Sequence, residues 1–222
     1  MSGLPYHRSG INHRRVEADK AITAGEVRRI LEWLEERDPA AYTEGPRMAA
    51  HWRDYVLVYT LSVTGLRASE VAAIRRRDLF LKGPRPYLVV RRGKWRRDGE
   101  PDCVYLSRAL AVALADYATR YGPEEEEDFL FRTSSGRGIS RREVREAVKR
   151  AVAALGLNPR YSAHTLRHYA ITSWASAPGA HPYAVAKLAR LRSMDTVLRY
   201  FHPSPDAVSA LAEAGEVRGR KK

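Results

Sequence analysis

A chain of 222 residues with 44% hydrophobic side chains is long enough to bury a core and too apolar to be globally disordered. Thirty-nine Lys and Arg against 26 Asp and Glu leave a net charge of +13, which favours a nucleic acid partner over the plainer reading of solubility alone. The single cysteine, Cys103, excludes an internal disulfide and has no Cys/His cluster around it to suggest zinc, while no apolar run approaches the roughly 20 residues that span a bilayer.

Residues 1–18 are polar and basic, without the apolar stretch of a signal peptide, and read as a flexible lead. AITAGEVRRILEWLEER then places Val27, Ile30, Leu31 and Leu34 on one helical face, with Thr23 as N-cap. Pro39, Gly45 and Pro46 mark residues 38–48 as a loop. Residues 51–65 form an apolar helix ended by Gly65, and ASEVAAIRRRDLF carries the next helix. The period then changes to two: residues 87–90 (YLVV) and 102–106 (DCVYL) predict antiparallel strands joined by the basic turn RRGKWRRDGEP. Residues 108–121 return to helix. The run EEEED at 124–128 reads as a solvated loop rather than a metal site. Residues 140–155 predict a helix opened by a Ser140–Glu143 capping box. From Ser162 to Glu216 the pattern is helical, broken only at residues 177–182. No internal repeat or long linker is visible. The fold class is α+β, mostly α, with a small antiparallel β-sheet.

Four separated segments hold the side chains with chemical potential. TGLRASE at 64–70 presents Arg67 at a helix start, with Glu70 one turn on. GKWRRDGEP sets Lys94 at a hairpin turn. HTLRH at 164–168 puts His164 and Arg167 on one helix face, and DTVLRYFH at 195–202 carries Tyr200 late in an amphipathic helix. Each alone has a bland explanation: a structural arginine, a solvated lysine, a surface His/Arg pair, a tyrosine at the edge of a core. Their joint occurrence in this order is far more specific.

From about Ala21 to His202 the chain resembles the catalytic domain of the tyrosine recombinases, the family of phage integrases and Xer-like enzymes. SEVAAIRRRDL follows the first arginine, SAHTLRHYAITSWA surrounds the second, and LRYFH holds the tyrosine. The resemblance implies site-specific DNA recombination or integration on double-stranded DNA, with no metal and no cofactor. Tyr200 is then the nucleophile that stores the phosphodiester energy as a phosphotyrosine. Arg67 and Arg167 grip the non-bridging oxygens, Lys94 protonates the leaving 5′-oxygen, His164 assists proton transfer, and Glu70 orients Arg67 or His164.

It further implies a recombinase catalytic-domain fold over residues 19–204, and a helix with a basic tail over 205–222 that docks on a neighbouring protomer or folds back on its own domain. The expected assembly is a monomer free in solution and a dimer or tetramer on DNA. The expected location is cytoplasmic, associated with the nucleoid and away from membranes. No separate N-terminal DNA-clamping domain fits before residue 20. The chain departs from the family where a Gly-His pair normally precedes the nucleophile: Arg190 stands at the Gly and Leu191 at the His. The departure implies weakened catalysis, with Arg190 or Arg192 as substitutes for the lost donor. The alternative is a catalytically impaired DNA-binding protein that keeps the fold.

Overall fold

In the computed structural model, which describes residues 21–36, 46–91 and 102–201 together with Ser209 and Glu213, helices predominate and one small three-stranded sheet accompanies them. Helix α1 (Ala24–Glu36) begins where Thr23 and Glu26 cap each other. The Thr23 hydroxyl accepts from the Glu26 amide at 3.2 Å, and the Glu26 carboxylate accepts from the Thr23 amide at 2.8 Å. Val27, Ile30 and Leu34 are buried and Leu31 packs partly against them, the face expected from their spacing.

Helix α2 (Pro46–Thr64) starts inside the segment expected to be loop. A proline fits the first helical position because its missing N–H is one the helix cannot satisfy anyway. Val56, Leu57, Val58 and Leu61 are at most 2% exposed, and α2 is the central rod against which α1, helix α4 (Arg108–Arg120) and helix α6 (Ala163–Ala175) pack.

The helix expected over ASEVAAIRRRDLF is only one turn long, α3 (Ala68–Val71), followed by a 3-10 turn (Arg76–Asp78) and strand β1 (Leu79–Phe80). Helical backbone is lost there because neighbouring chain takes its groups. The Arg76 and Arg77 amides donate to the carbonyls of Asp128 and Glu126, each at 3.0 Å, and the Leu130 amide donates to Ile74 at 2.8 Å. The acidic run is therefore more than a solvated loop, since it is clipped along the Arg75–Arg77 segment, and Glu126 and Glu127 pair with Arg76 and Arg77.

Strands β2 (Tyr87–Val90) and β3 (Asp102–Tyr105) pair antiparallel, with Leu88 opposite Val104 and Val90 opposite Asp102, and β1 adds an edge through Leu79 opposite Leu88. Alternation buries Leu88 and Val104 completely while Tyr105 faces solvent. Asp78, 1% exposed, caps the 3-10 turn through the Arg75 amide and ion-pairs with Arg91 just past β2. Lys94 lies outside the described residues, as do residues 1–18 and all of the 205–222 tail except the helical, exposed Ser209 and Glu213.

Helix α5 (Arg141–Ala154) carries the expected capping box: the Ser140 hydroxyl accepts from the Glu143 amide at 3.2 Å, and the Glu143 carboxylate from the Ser140 amide at 2.7 Å. The stretch after Ser162 is less continuous than its pattern suggests. Helix α7 (Pro182–Ala189) stops at Arg190, and helix α8 (Met194–Leu198) restarts after Ser193, whose hydroxyl accepts from the Thr196 amide. Tyr200 lies in the turn beyond α8 rather than late in a helix, with its amide bonded to the Val197 carbonyl at 2.9 Å.

The interior has two parts. The main core runs from Ile22 to Leu166; a second, of Ile171, Val185, Ala186, Ala189 and Val197, has Trp174, Leu191, Met194, Tyr200 and Phe201 packed against it. Helix α6 reaches both, with Leu166 in the first and Ile171 in the second.

Losing the α5 cap has a defined cost. Ser140→Ala lowers the unfolding free energy by about 1 kcal/mol in urea denaturation. The amide of Ser140 is the main cause holding the Glu143 carboxyl at about 2, so that group's contribution is complete above the ordinary value of 4.5 and is lost as pH falls toward 2. Glu143→Gln therefore differs from the parent at neutral pH and converges with it in acid.

Candidate active site

The site is organised by a turn. Helix α2 ends at Gly65, which has a left-handed φ of 57°, and a Cβ there would meet the Trp174 ring at 3.0 Å and the Ala170 Cβ at 3.4 Å. The position thus needs glycine twice, for its backbone conformation and for the close approach of α6. The Gly65 carbonyl accepts from Arg167 of α6 and, at 3.3 Å, from Arg190 at the end of α7. Arg167 also donates to the Ala189 carbonyl at 2.7 Å and is 5% exposed. Burial, then the charges of Arg67 and Arg190, push its guanidinium down to about 10, so it remains a cation at neutral pH.

Arg67 caps α3. Its amide donates to one oxygen of Glu70 at 2.7 Å and its guanidinium to the other at 2.8 Å, while half of its side chain stays exposed. The second partner of Glu70 is Arg190 at 3.1 Å, so Glu70 braces two arginines, whereas the sequence pointed to Arg67 or His164. Burial works to raise the Glu70 carboxyl. Arg190, the Arg67 amide and the Arg67 guanidinium outweigh it and hold the group below its ordinary value.

The family's Gly-His position is now explicable in backbone terms. Arg190 has φ 53°, its amide donates to the Lys187 carbonyl at 3.2 Å, and the Leu191 amide donates to Ala186 at 2.9 Å, which is a Schellman ending of α7. The Arg190 guanidinium turns inward onto Leu188, Gly65 and Glu70 and acts as a brace. Arg192 is exposed, and Leu191 packs on the second core.

Arg67, His164 and Arg167 line one cleft of about 430 Å³. Its far wall is Arg141, Arg145 and Lys149 of α5, three cations at successive four-residue steps on one helix face. Those three were not singled out from sequence, although their spacing signals a basic stripe. Burial first, then Arg167 and Arg67, lower the pKa of His164. Tyr200 reaches this group through a residue the sequence reading passed over. Its hydroxyl lies 2.9 Å from Nδ1 of His168, whose Nε2 lies 3.0 Å from Nε2 of His164. The signal was present in HTLRH, where two histidines four apart share a helix face.

Removing the shared carboxylate exposes the linkage. Glu70→Gln leaves buried cations uncompensated and lowers stability at neutral pH by about 3 kcal/mol. Because the folded-state pKa of Glu70 is depressed, its contribution is complete above 4.5 and disappears as pH falls through the folded value, so parent and variant converge in acid. Urea denaturation at both pH values measures this.

Residues 20–206 match the sequence pattern of the phage integrase family. A tyrosine recombinase of Synechococcus elongatus is 35% identical over 152 residues, covering 67% of this chain and 46% of that protein. XerC of Pelobacter propionicus is 29% identical over 168 residues, covering 76% and 53%. The chain thus spans about half the length of these curated relatives. The crystal structure of XerA recombinase superposes with a TM-score of 0.65 at 19% identity, covering 90% of this chain and 64% of that one. XerH bound to its difH substrate before cleavage gives 0.70 at 17% identity, covering 89% and 55%. The fold of these recombinases is the fold seen here, and with the family pattern covering nearly the whole described chain, the protein belongs to the phage integrase family of tyrosine recombinases.

Proposed function

We propose that the chain cleaves and rejoins duplex DNA in site-specific recombination, through a 3′-phosphotyrosine on Tyr200. The observation that carries this reading is the meeting of Arg67, His164 and Arg167 on one cationic cleft, with the Tyr200 hydroxyl tied to His164 through a single side chain. The Tyr200 oxygen attacks the scissile phosphorus; the P–O5′ bond breaks, and the 5′-oxygen leaves as a hydroxyl after taking a proton from Lys94. Arg67 and Arg167 hold the non-bridging oxygens. Arg167 spends two of its donors on the carbonyls of Gly65 and Ala189, which fixes the guanidinium plane and leaves others for the phosphate. Rejoining runs the same path backward, the 5′-hydroxyl displacing Tyr200.

Arg141, Arg145 and Lys149 suit the flanking DNA backbone. Among the described residues, Arg141 and Arg145 pair with no carboxylate, so their charge faces the cleft unspent. Such contacts position DNA without reading its sequence. The names of related proteins, one of them a λ integrase dimer on a core site, support DNA as partner and a dimer on it; a tetramer on DNA and a location with the nucleoid belong to the same proposal.

A nicked suicide duplex carrying the chain's own recombination site, or a library of such duplexes, tests the reading. A covalent adduct forms with the parent and is absent in Tyr200→Phe, while DNA affinity stays within about threefold. Replacing both Arg141 and Arg145 with Ala flattens the plot of log affinity against log salt by about 2, since each lost phosphate contact removes close to one released counterion. An adduct persisting in Tyr200→Phe, or a salt slope unchanged in the double variant, contradicts the assignment.

A further inference from the structure

We propose that His168 is a further catalytic residue of this site: it takes the phenol proton of Tyr200 and passes its own ring proton to His164. The proposal deepens the reading above and rests on Tyr200 being the nucleophile.

Hydrogen-bond direction along the chain supports it. A phenol can donate or accept, and in the arrangement that serves the transfer Tyr200 donates to Nδ1 of His168, 2.9 Å from its oxygen. The proton of a neutral His168 then sits on Nε2, which faces Nε2 of His164 at 3.0 Å. That second nitrogen must accept, which leaves the His164 proton on Nδ1. This pair of tautomers satisfies both contacts and forms a proton wire; the reversed pair, with His168 protonated on Nδ1, meets the same distances but has no site to take the phenol proton. The rings are held for it: those of His164 and His168 meet edge to face at 4.6 Å, and those of His168 and Tyr200 lie 5.6 Å apart. Both histidines are fixed on one face of α6, and Tyr200 is held from the other side by the second core.

The transfer balances. The Tyr200 O–H bond breaks and a bond to Nδ1 of His168 forms, while the His168 Nε2–H bond breaks and a bond to Nε2 of His164 forms. His168 ends neutral, His164 ends as imidazolium, and the phenolate electron pair attacks phosphorus. Rejoining returns the protons in the opposite order, so that Tyr200 leaves as a phenol.

The surroundings make the transfer depend on DNA. Among the described residues, the charged groups facing the wire are Arg167 on α6 itself, Arg67 from the turn before α3, Arg190 and Glu70 behind them, and Arg141, Arg145 and Lys149 across the cleft. All but Glu70 are cations, and Glu70 is already shared by Arg67 and Arg190. With the cleft empty, a proton on His164 is disfavoured by burial and by Arg167 and Arg67. A phosphate diester entering the cleft brings the missing negative charge and raises the proton affinity of His164. Tyr200 is thereby activated where its target is present.

Single-turnover adduct formation on the suicide duplex, followed from about pH 5.5 to about pH 10, reads the proton transfer directly. In His168→Phe the rate at neutral pH falls by about 10²-fold, the usual contribution of a positioned base, and climbs roughly tenfold per pH unit as solvent takes over ionisation of the phenol. The deficit therefore shrinks at high pH, with DNA affinity unchanged. His168→Asn, whose amide oxygen accepts near the Nδ1 position without taking a proton, follows the Phe variant. A loss independent of pH, rescue by Asn, or an unchanged rate overturns the proposal, the first two leaving His168 as a post that merely holds Tyr200. Should either variant fold poorly, ¹⁵N-histidine NMR of the parent chain decides: His168 protonated on Nε2 and His164 on Nδ1 is expected, and His168 protonated on Nδ1 overturns the wire. An adduct surviving Tyr200→Phe is a separate result and would remove both readings together.

Discussion

The carbonyl oxygen of Gly65 holds this site together. It belongs to the turn that ends α2, and two guanidinium groups from other parts of the chain, Arg167 and Arg190, converge on it. A carbonyl has two acceptor lone pairs, and both are used here by cations. The left-handed backbone of residue 65 aims that oxygen, and the absence of a Cβ lets α6 come close enough for Arg167 to reach it. Arg67 follows two residues later, already positioned as the cap of α3. One local backbone choice therefore sets where Arg67 and Arg167 stand relative to each other.

The cost of assembling so many cations is met in a particular way. Arg67, Arg167 and Arg190 repel one another in a half-buried space, and Glu70 is the carboxylate set among them. Two of the three arginines lie almost wholly inside, where backbone carbonyls satisfy much of their donor capacity and fix their planes. Arg67 is the outward member. With the charge of Glu70 divided between Arg67 and Arg190, the cleft keeps a net positive character that an anion completes. Tyr200 is held by different means. It rests on a separate small core tied to the rest of the protein along α6, through the Arg167–Ala189 bond and through the bonds of Arg190 to Gly65 and Glu70.

Much of this was legible in the sequence because the signals were local. Caps at Thr23 and Ser140, the apolar face of α1, the strand at 87–90 and the terminating Gly65 each depend on neighbours within a turn or two, and each is present in the structure, although Leu88, Val89 and Val90 are all buried rather than alternating. The grouping of Arg67, His164 and Arg167 was legible only through the family resemblance, since nothing within any one segment dictates that the others lie beside it. What escaped was decided at long range. The helix expected after Arg67 fails because residues 126–130 capture its backbone groups from some fifty positions away. The inward turn of Arg190 depends on Gly65 and Glu70, more than a hundred residues earlier. His168 was visible as a letter in HTLRH, yet its contact with Tyr200 is set by how α8 packs on α7 and α7 on α6 around the second core.

The exchange of the family's Gly-His pair for Arg190 and Leu191 has an internal logic. The first of these residues ends α7 in a left-handed conformation, where glycine costs nothing and a residue with a Cβ costs about 1 kcal/mol. Arg190 offsets that cost with hydrogen bonds to Leu188, Gly65 and Glu70. The residue after it in a Schellman ending commonly makes an apolar contact back onto the last turn of its helix, and Leu191 packs on the second core alongside Ala186 in that manner. A histidine would point a polar ring at the same space. The chain has thus replaced a mobile backbone position and a polar side chain with a buried cation and an apolar anchor, both of which stiffen the element that precedes Tyr200. The buried cation also changes its neighbour: by sharing Glu70, Arg190 takes part of the carboxylate's charge from Arg67, whose half-exposed guanidinium lines the cleft.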